Sequence, residues 1–323
     1  MLKKLLATAV ASLVLAAQAT PLKTAQGDVE IAKVPERIVV YDIGALDTLV
    51  ALGLGDKIVG IPGEKFAADF ATPNAKEVGT LFEPDLEALN AAKPDLIIVA
   101  SRSAGKLDEV KAVAQAVDLN VPGDNAYQEG LARLESLGAV FGKEAEAKKT
   151  ADALNALRDA VKAESADKGK VLALLVNGPK IALYGPDSRA GWLQKELGLQ
   201  LVHNEKMSGH HGDPVSFEYI AQENPDWIYA LDRLAAIGED GASAKQTLDN
   251  ELVHGTTAWK KGQVIYPQTK NVYIDIGGPT ALRATLEELK VSSRSKQRKT
   301  RPRRAVLLLP TWRARKRALG CMY

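Results

Sequence analysis

Glu87 is followed by Pro94, Asp95 and Arg102, and 131 residues further on Glu218 is followed by Pro225, Asp226 and Arg233. Both copies read E-x6-P-D-x6-R. In each, helical spacing around the Glu stops at Pro-Asp. An apolar run follows (residues 96–100 and 227–231), and an Arg stands just past its end. A continuous apolar run of that length fits a strand buried on both faces. Such a repeat predicts two lobes of one design. Other short β-rich runs, at 37–41, 171–176 and 181–184, alternate with helical patterns at 46–54, 106–117 and 192–197. That alternation predicts an α/β fold with parallel sheets. Between the copies, residues 143–165 contain no Gly or Pro and place Ala147, Ala151, Leu154, Leu157 and Val161 at helical spacing. As a helix this stretch would span roughly 34 Å, enough for a stiff strut between lobes.

The ends of the chain differ from its body. Lys3 and Lys4 precede an apolar stretch and an Ala-Gln-Ala site at 17–19, the pattern of a secretory leader and too short for a bilayer span. Residues 291–323 hold eleven Lys or Arg and no acid, leaving 31 basic and 40 acidic groups before them, a net of −9. This tail is either a basic arm for nucleic acid or membrane, or a segment foreign to the fold, such as an out-of-frame translation. The expected organisation is a signal peptide at 1–19, a first lobe at 20–142, a connecting helix at 143–165, a second lobe at 166–290 and the tail at 291–323. The single cysteine, Cys321, excludes an intrachain disulfide and a thiolate metal cluster.

In open α/β sheets, ligands sit beyond the carboxyl ends of the strands. Arg102 and Arg233 are expected there, one in each lobe. Arg189, in YGPDSRAG at 184–191, is a third candidate. Three guanidinium groups facing one cleft would form an anion site, since each offers a planar fork of donors to oxygen ligands. Taken singly, each reads first as a surface arginine; the repeat placement of Arg102 and Arg233 reverses that for the set. His211, beside His210 in the Gly-rich MSGHHGDP at 207–214, is either a plain loop histidine or a metal ligand. Tyr273, in NVYIDIGG at 271–278, is either a packed residue or a hard oxygen donor at a strand end. Asp42 and Asp47 stand near the first strand without a catalytic partner. There is no G-x-S-x-G, H-E-x-x-H or Walker A motif, and four histidines without a His-rich segment give little support to a zinc site. No enzyme activity is expected.

From Pro35 to Leu289 the chain resembles the periplasmic binding proteins of ABC importers for iron-siderophores, haem and cobalamin, and among them the catecholate or enterobactin-type siderophore binders. The resemblance rests on LEAL (86–89), KPDLII (93–98), YGPDSRAG (184–191), HGDPVSFE (211–218), ALDR (230–233) and QTLDNELV (246–253). It implies two Rossmann-like lobes joined by a single long helix, the class III periplasmic binding protein architecture. It further implies a ferric siderophore as ligand and no intrinsic cofactor. Arg102, Arg189 and Arg233 would hold the anion, and His211 and Tyr273 would complete the coordination of iron. Glu87 and Glu218 would dock on the inner-membrane permease. The residues past Lys290 do not continue the family pattern. A periplasmic monomer that engages no nucleic acid is expected. The alternatives are a haem carrier and, in another class, a nucleic-acid-binding protein working through the tail.

Overall fold

The computed structural model describes residues 19–207, 209 and 211–300. The leader, up to residue 18, and residues 301–323 of the basic tail lie outside the described residues. A short hairpin, β1 (Thr20–Thr24) with β2 (Gly27–Ile31), precedes the first lobe. That lobe is built on β3 (Ile38–Val40), β4 (Ile58–Ile61), β5 (Lys76–Glu77), β6 (Leu96–Val99) and β7 (Ala116–Asp118). Their order is β5-β4-β3-β6-β7 and every pairing is parallel. The chain winds outward in one direction from β3 and in the other from β6. The two strands are neighbours, so the ligand-binding crevice of such a sheet opens just beyond their carboxyl ends.

The second lobe is built on β8 (Lys170–Asn177), β9 (Lys180–Leu183), β10 (Gln200–Leu201), β11 (Asp213–Pro214), β12 (Trp227–Asp232) and β13 (Val264–Ile265). Its main path is β11-β9-β8-β12-β13, with β10 beside the start of β8. Here β10, β8, β12 and β13 run parallel, as expected, and the departure is confined to β9 and β11. β8 and β9 are joined only by Gly178 and Pro179, with Asn177 opposite Lys180, and they run antiparallel, as does β11 against β9. A two-residue connection can close only a hairpin; a parallel return needs a crossover of a dozen or more residues. The expected helix over 106–117 also differs. Helix ends at Val110, and Ala116–Asp118 becomes strand β7 on the edge of the first sheet. The apolar spacing there served the strand's pairing with β6.

The repeated spacing builds the same unit twice. Helix Leu86–Ala92 is capped by Asp85, and helix Phe217–Glu223 by Ser216. Each ends on a left-handed residue, Lys93 (φ 48°) or Asn224 (φ 43°). The repeat's aspartates then tie the neighbouring strand. Asp95 accepts from the amides of Glu36 and Arg37 at 2.8 and 2.9 Å, and Asp226 from that of Lys170 at 3.0 Å.

Helix Glu144–Ser165 lies between the lobes in the chain and buries Ala147, Ala151, Leu154 and Val161. Together with helices Ala126–Val140 and Pro279–Thr300 it packs into one continuous core, which takes in Leu46 and Leu49 from the first lobe and Ala173, Leu175 and Tyr229 from the second. The outer face of each sheet has its own smaller core. The C-terminal segment is thereby held against the first lobe. Gly130 permits this approach, because a Cβ there would stand 2.4 Å from the carbonyl oxygen of Gly277. The helix continues past Lys290 without a break as far as Thr300.

Candidate functional site

β6 leads into a 3-10 turn, Ser101–Lys106, that carries Arg102, and β12 leads directly into helix Arg233–Ile237. Arg233 is fixed there because Asp232 caps the helix through the amide of Ala235 at 3.1 Å. Arg189 follows β9 in the turn before helix Gly191–Leu197. It lies against Gly123 of the first lobe, where an added Cβ would be 2.9 Å from Arg189 Cγ. Any larger side chain at 123 would push this arginine away.

The three arginines, distant in sequence, meet at Tyr273. Arg102 Nη2 donates to the Tyr273 carbonyl at 2.9 Å, and its guanidinium lies 5.4 Å from the ring centre. The Arg189 guanidinium stacks at 4.4 Å from the same ring. Arg233 Nε donates to the Tyr273 hydroxyl at 3.1 Å, and Arg233 Nη1 to Asn177 Oδ1 at 3.3 Å. His211 Nδ1 is 3.5 Å from that hydroxyl. All five ligand-site candidates from the sequence are therefore gathered; His210 lies outside the described residues. Tyr273 is buried at the end of a helical turn, Lys270–Tyr273, rather than at a strand end. The Thr269 hydroxyl that opens this turn accepts from the Asp232 amide, fastening it to β12.

Among the described residues no carboxylate is ion-paired with any of the three arginines. Burial, and next the nearby Arg189, hold the Arg102 guanidinium below its usual pKa. Arg189 Nη1 is buried with no hydrogen-bond partner among the described residues. Tyr184, also buried beside Arg189, has its hydroxyl pushed up to about 12 by burial, against the pull of that arginine. Like charges this close favour an anion between them. Such an arrangement can hold negatively charged oxygens, and it sets two further polar groups, the His211 imidazole and the Tyr273 hydroxyl, side by side. Among the described residues no group of three or more His, Cys, Asp or Glu could hold a metal by itself.

Two concavities flank this cluster. One, of about 680 Å³, lies between the lobes and is lined by Asn120, Gly123, Asp187 and Arg189. The other, of about 560 Å³, lies in the second lobe and is lined by Asn177, Lys180, His211, Glu218 and Arg233. Each is within the range of small-molecule sites. Glu87 and Glu218 are both exposed near the start of their helices. Glu218, expected to dock on the permease, also lines the second concavity.

The sequence singled out Asp42 and Asp47 but not Arg133, the buried base they face. Arg133 is buried, donates to the Ile276 carbonyl at 3.0 Å and lies 3.6 Å from Asp42. Asp42 caps helix Ile43–Ala51, and Asp47 accepts from the amides of Thr280 and Ala281. Burial raises the pKa of Asp42, Asp47 and Asp275, while Arg133 opposes it. These acids hold the C-terminal segment to the first lobe. An arginine on the buried face of a helix was the available signal, since an unpaired charge is almost never placed there.

The family model described as periplasmic binding protein matches residues 38–269. The chain is 32% identical over 265 residues to the petrobactin-binding protein of Bacillus subtilis, covering 81% of this chain and 83% of that one. The crystal structure of that protein superposes with a TM-score of 0.80, covering 86% of this chain and 99% of that one. The ferric-anguibactin-binding protein of Vibrio anguillarum is 28% identical over 273 residues, 81% of this chain and 84% of the relative. The periplasmic catecholate-siderophore binding protein of Vibrio cholerae is similar in structure, with a TM-score of 0.78 at 26% identity, covering 85% of this chain and all (100%) of that one.

Proposed function

The chain belongs to the periplasmic binding protein family, and from that membership we propose that it captures an anionic ferric siderophore, of catecholate type, in the periplasm and delivers it to an ABC importer. The observation that carries this reading is the gathering of Arg102, Arg189 and Arg233 on one tyrosine, with no carboxylate paired to them among the described residues. A ferric catecholate is a compact, multiply charged anion with its charge on oxygens. Forked guanidinium donors match such oxygens. Relatives named for petrobactin, ferric anguibactin and catecholate siderophores support the ligand class.

The protein's part is binding without bond chemistry. Arg102, Arg189 and Arg233 grip the anionic oxygens from both lobes. His211 and Tyr273 fill iron positions that the siderophore leaves open. Glu87 and Glu218, one on each lobe, present the loaded protein to basic residues of the permease. Charge-assisted hydrogen bonds of this kind are each worth roughly 1.5–3 kcal/mol. Titrating a ferric catecholate into the parent and into Arg102→Ala, Arg189→Ala and Arg233→Ala, with tryptophan fluorescence as the signal, tests the reading. Each variant should fold and bind at least tenfold more weakly. Parent-like affinity in all three would overturn it.

A further inference from the structure

Tyr273 stands between the two concavities. Arg189 lines the interlobe one and stacks on the tyrosine ring, whereas Arg233 and His211 line the other and reach the hydroxyl. Iron held at this point leaves the rest of its ligand to extend into the concavities. They differ in charge. Beside Arg189 the interlobe wall carries Asp187, whose carboxylate accepts the Met207 amide. The wall in the second lobe carries Lys180 as well as Arg233, against Glu218 alone, and so keeps a net positive charge. Lys180 is the first residue of β9. Its backbone is fixed opposite Asn177, which itself accepts from Arg233. Its ammonium group has no ion-pair partner among the described residues. The neighbouring Glu218 stays ionised, its pKa lowered first by the Ser216 hydroxyl. An anionic group in this concavity is therefore drawn to the Lys180 side and repelled from the other.

We propose that the ligand extends from the iron into the concavity of the second lobe, and that Lys180 selects an anionic group on that extension. The proposal rests on the ferric-siderophore reading and names a subsite within it. The ligand class is a ferric catecholate with a carboxylate or similar anion on its outer arm, as distinct from one whose arm is neutral.

The test uses two iron(III) complexes of one bis(catecholamide) ligand, with and without a terminal carboxylate, titrated into the parent, Lys180→Ala and Lys180→Glu. Lys180→Ala should lose about fivefold in affinity for the carboxylate complex, the size expected of a partly exposed ion pair, and nothing for the neutral-armed one. Lys180→Glu should widen that gap. Equal loss for both complexes, or no loss for either, overturns the subsite while leaving the ferric-siderophore reading standing. A parent that binds neither complex overturns both. Arg233→Ala, measured alongside, should weaken both complexes alike.

Discussion

In the first lobe, Arg102 is tied to the main chain of Tyr273, close to the buried Asp42. In the second, Arg233 is tied to the hydroxyl of the same tyrosine and to the Asn177 side chain. Up to that point the two copies of the repeat run alike, with a capped seven-residue helix, a left-handed residue, Pro-Asp and a buried strand. The shared part is a device for aiming a strand. The divergent part lies in what each strand end meets. The lobe with a parallel sheet delivers its arginine to a fixed backbone carbonyl. The lobe with a hairpin in its sheet delivers its own to side-chain groups beside the ligand concavities.

The largest effect is expected where the lobes are joined. Arg133→Met removes the buried guanidinium that faces all three of Asp42, Asp47 and Asp275 and should cost about 3–5 kcal/mol of stability. Because one core serves both lobes, urea unfolding followed by circular dichroism and by tryptophan fluorescence should show one coincident transition. Two separated transitions would break the comparison by making the lobes independent. Next comes Tyr273→Phe, which removes one of the two acceptors of Arg233, leaving Asn177, and keeps the carbonyl that holds Arg102. It should weaken ferric-catecholate binding by about 1–2 kcal/mol with little loss of stability. An undiminished affinity would mean that Arg233 needs no hydroxyl to be positioned.

A smaller contrast separates the two aspartates of the repeat. Asp95→Ala frees the two amides just before β3 and should destabilise by about 1–2 kcal/mol, and Asp226→Ala frees one, at the start of β8, and should cost about 1 kcal/mol. Chemical denaturation of the two variants under one set of conditions measures the difference. The smallest effects are expected at the exposed glutamates. Glu87→Ala should keep full ligand affinity and lower import in cells. Glu218→Ala should lower import to a similar degree, and the double variant more than either, because exposed ion pairs are individually weak. Normal uptake by the double variant would remove the docking role from both.

What could be read in the sequence was the local and the repeated. Pro94 and Pro225 end their helices wherever they stand, and the apolar runs after them have few alternatives to a buried strand. The arginines just beyond could then be placed by counting. What escaped depended on partners far away in the chain. Residues 106–117 carry helical spacing, yet Ala116–Asp118 is taken by the free edge of β6. Tyr273 was readable as a donor, but its place at the meeting point of three arginines depends on Asp232, Thr269 and the Arg102 turn arriving together. Arg133 lies on an ordinary amphipathic helix. Only the return of Ile276 and the acids around it show why a charge is buried there.

The unbroken core beneath both sheets has a consequence for timing. A receptor whose halves cannot swing far apart spends little free energy on rearrangement when its ligand arrives, so capture can run close to the rate of encounter. The same stiffness withholds a low-energy open state through which a tightly held anion could escape. Dissociation from the free protein is then expected to be slow, with the work of parting the grip supplied by the importer. Escape rates measured with and without the permease would show how much of that work comes from outside the receptor.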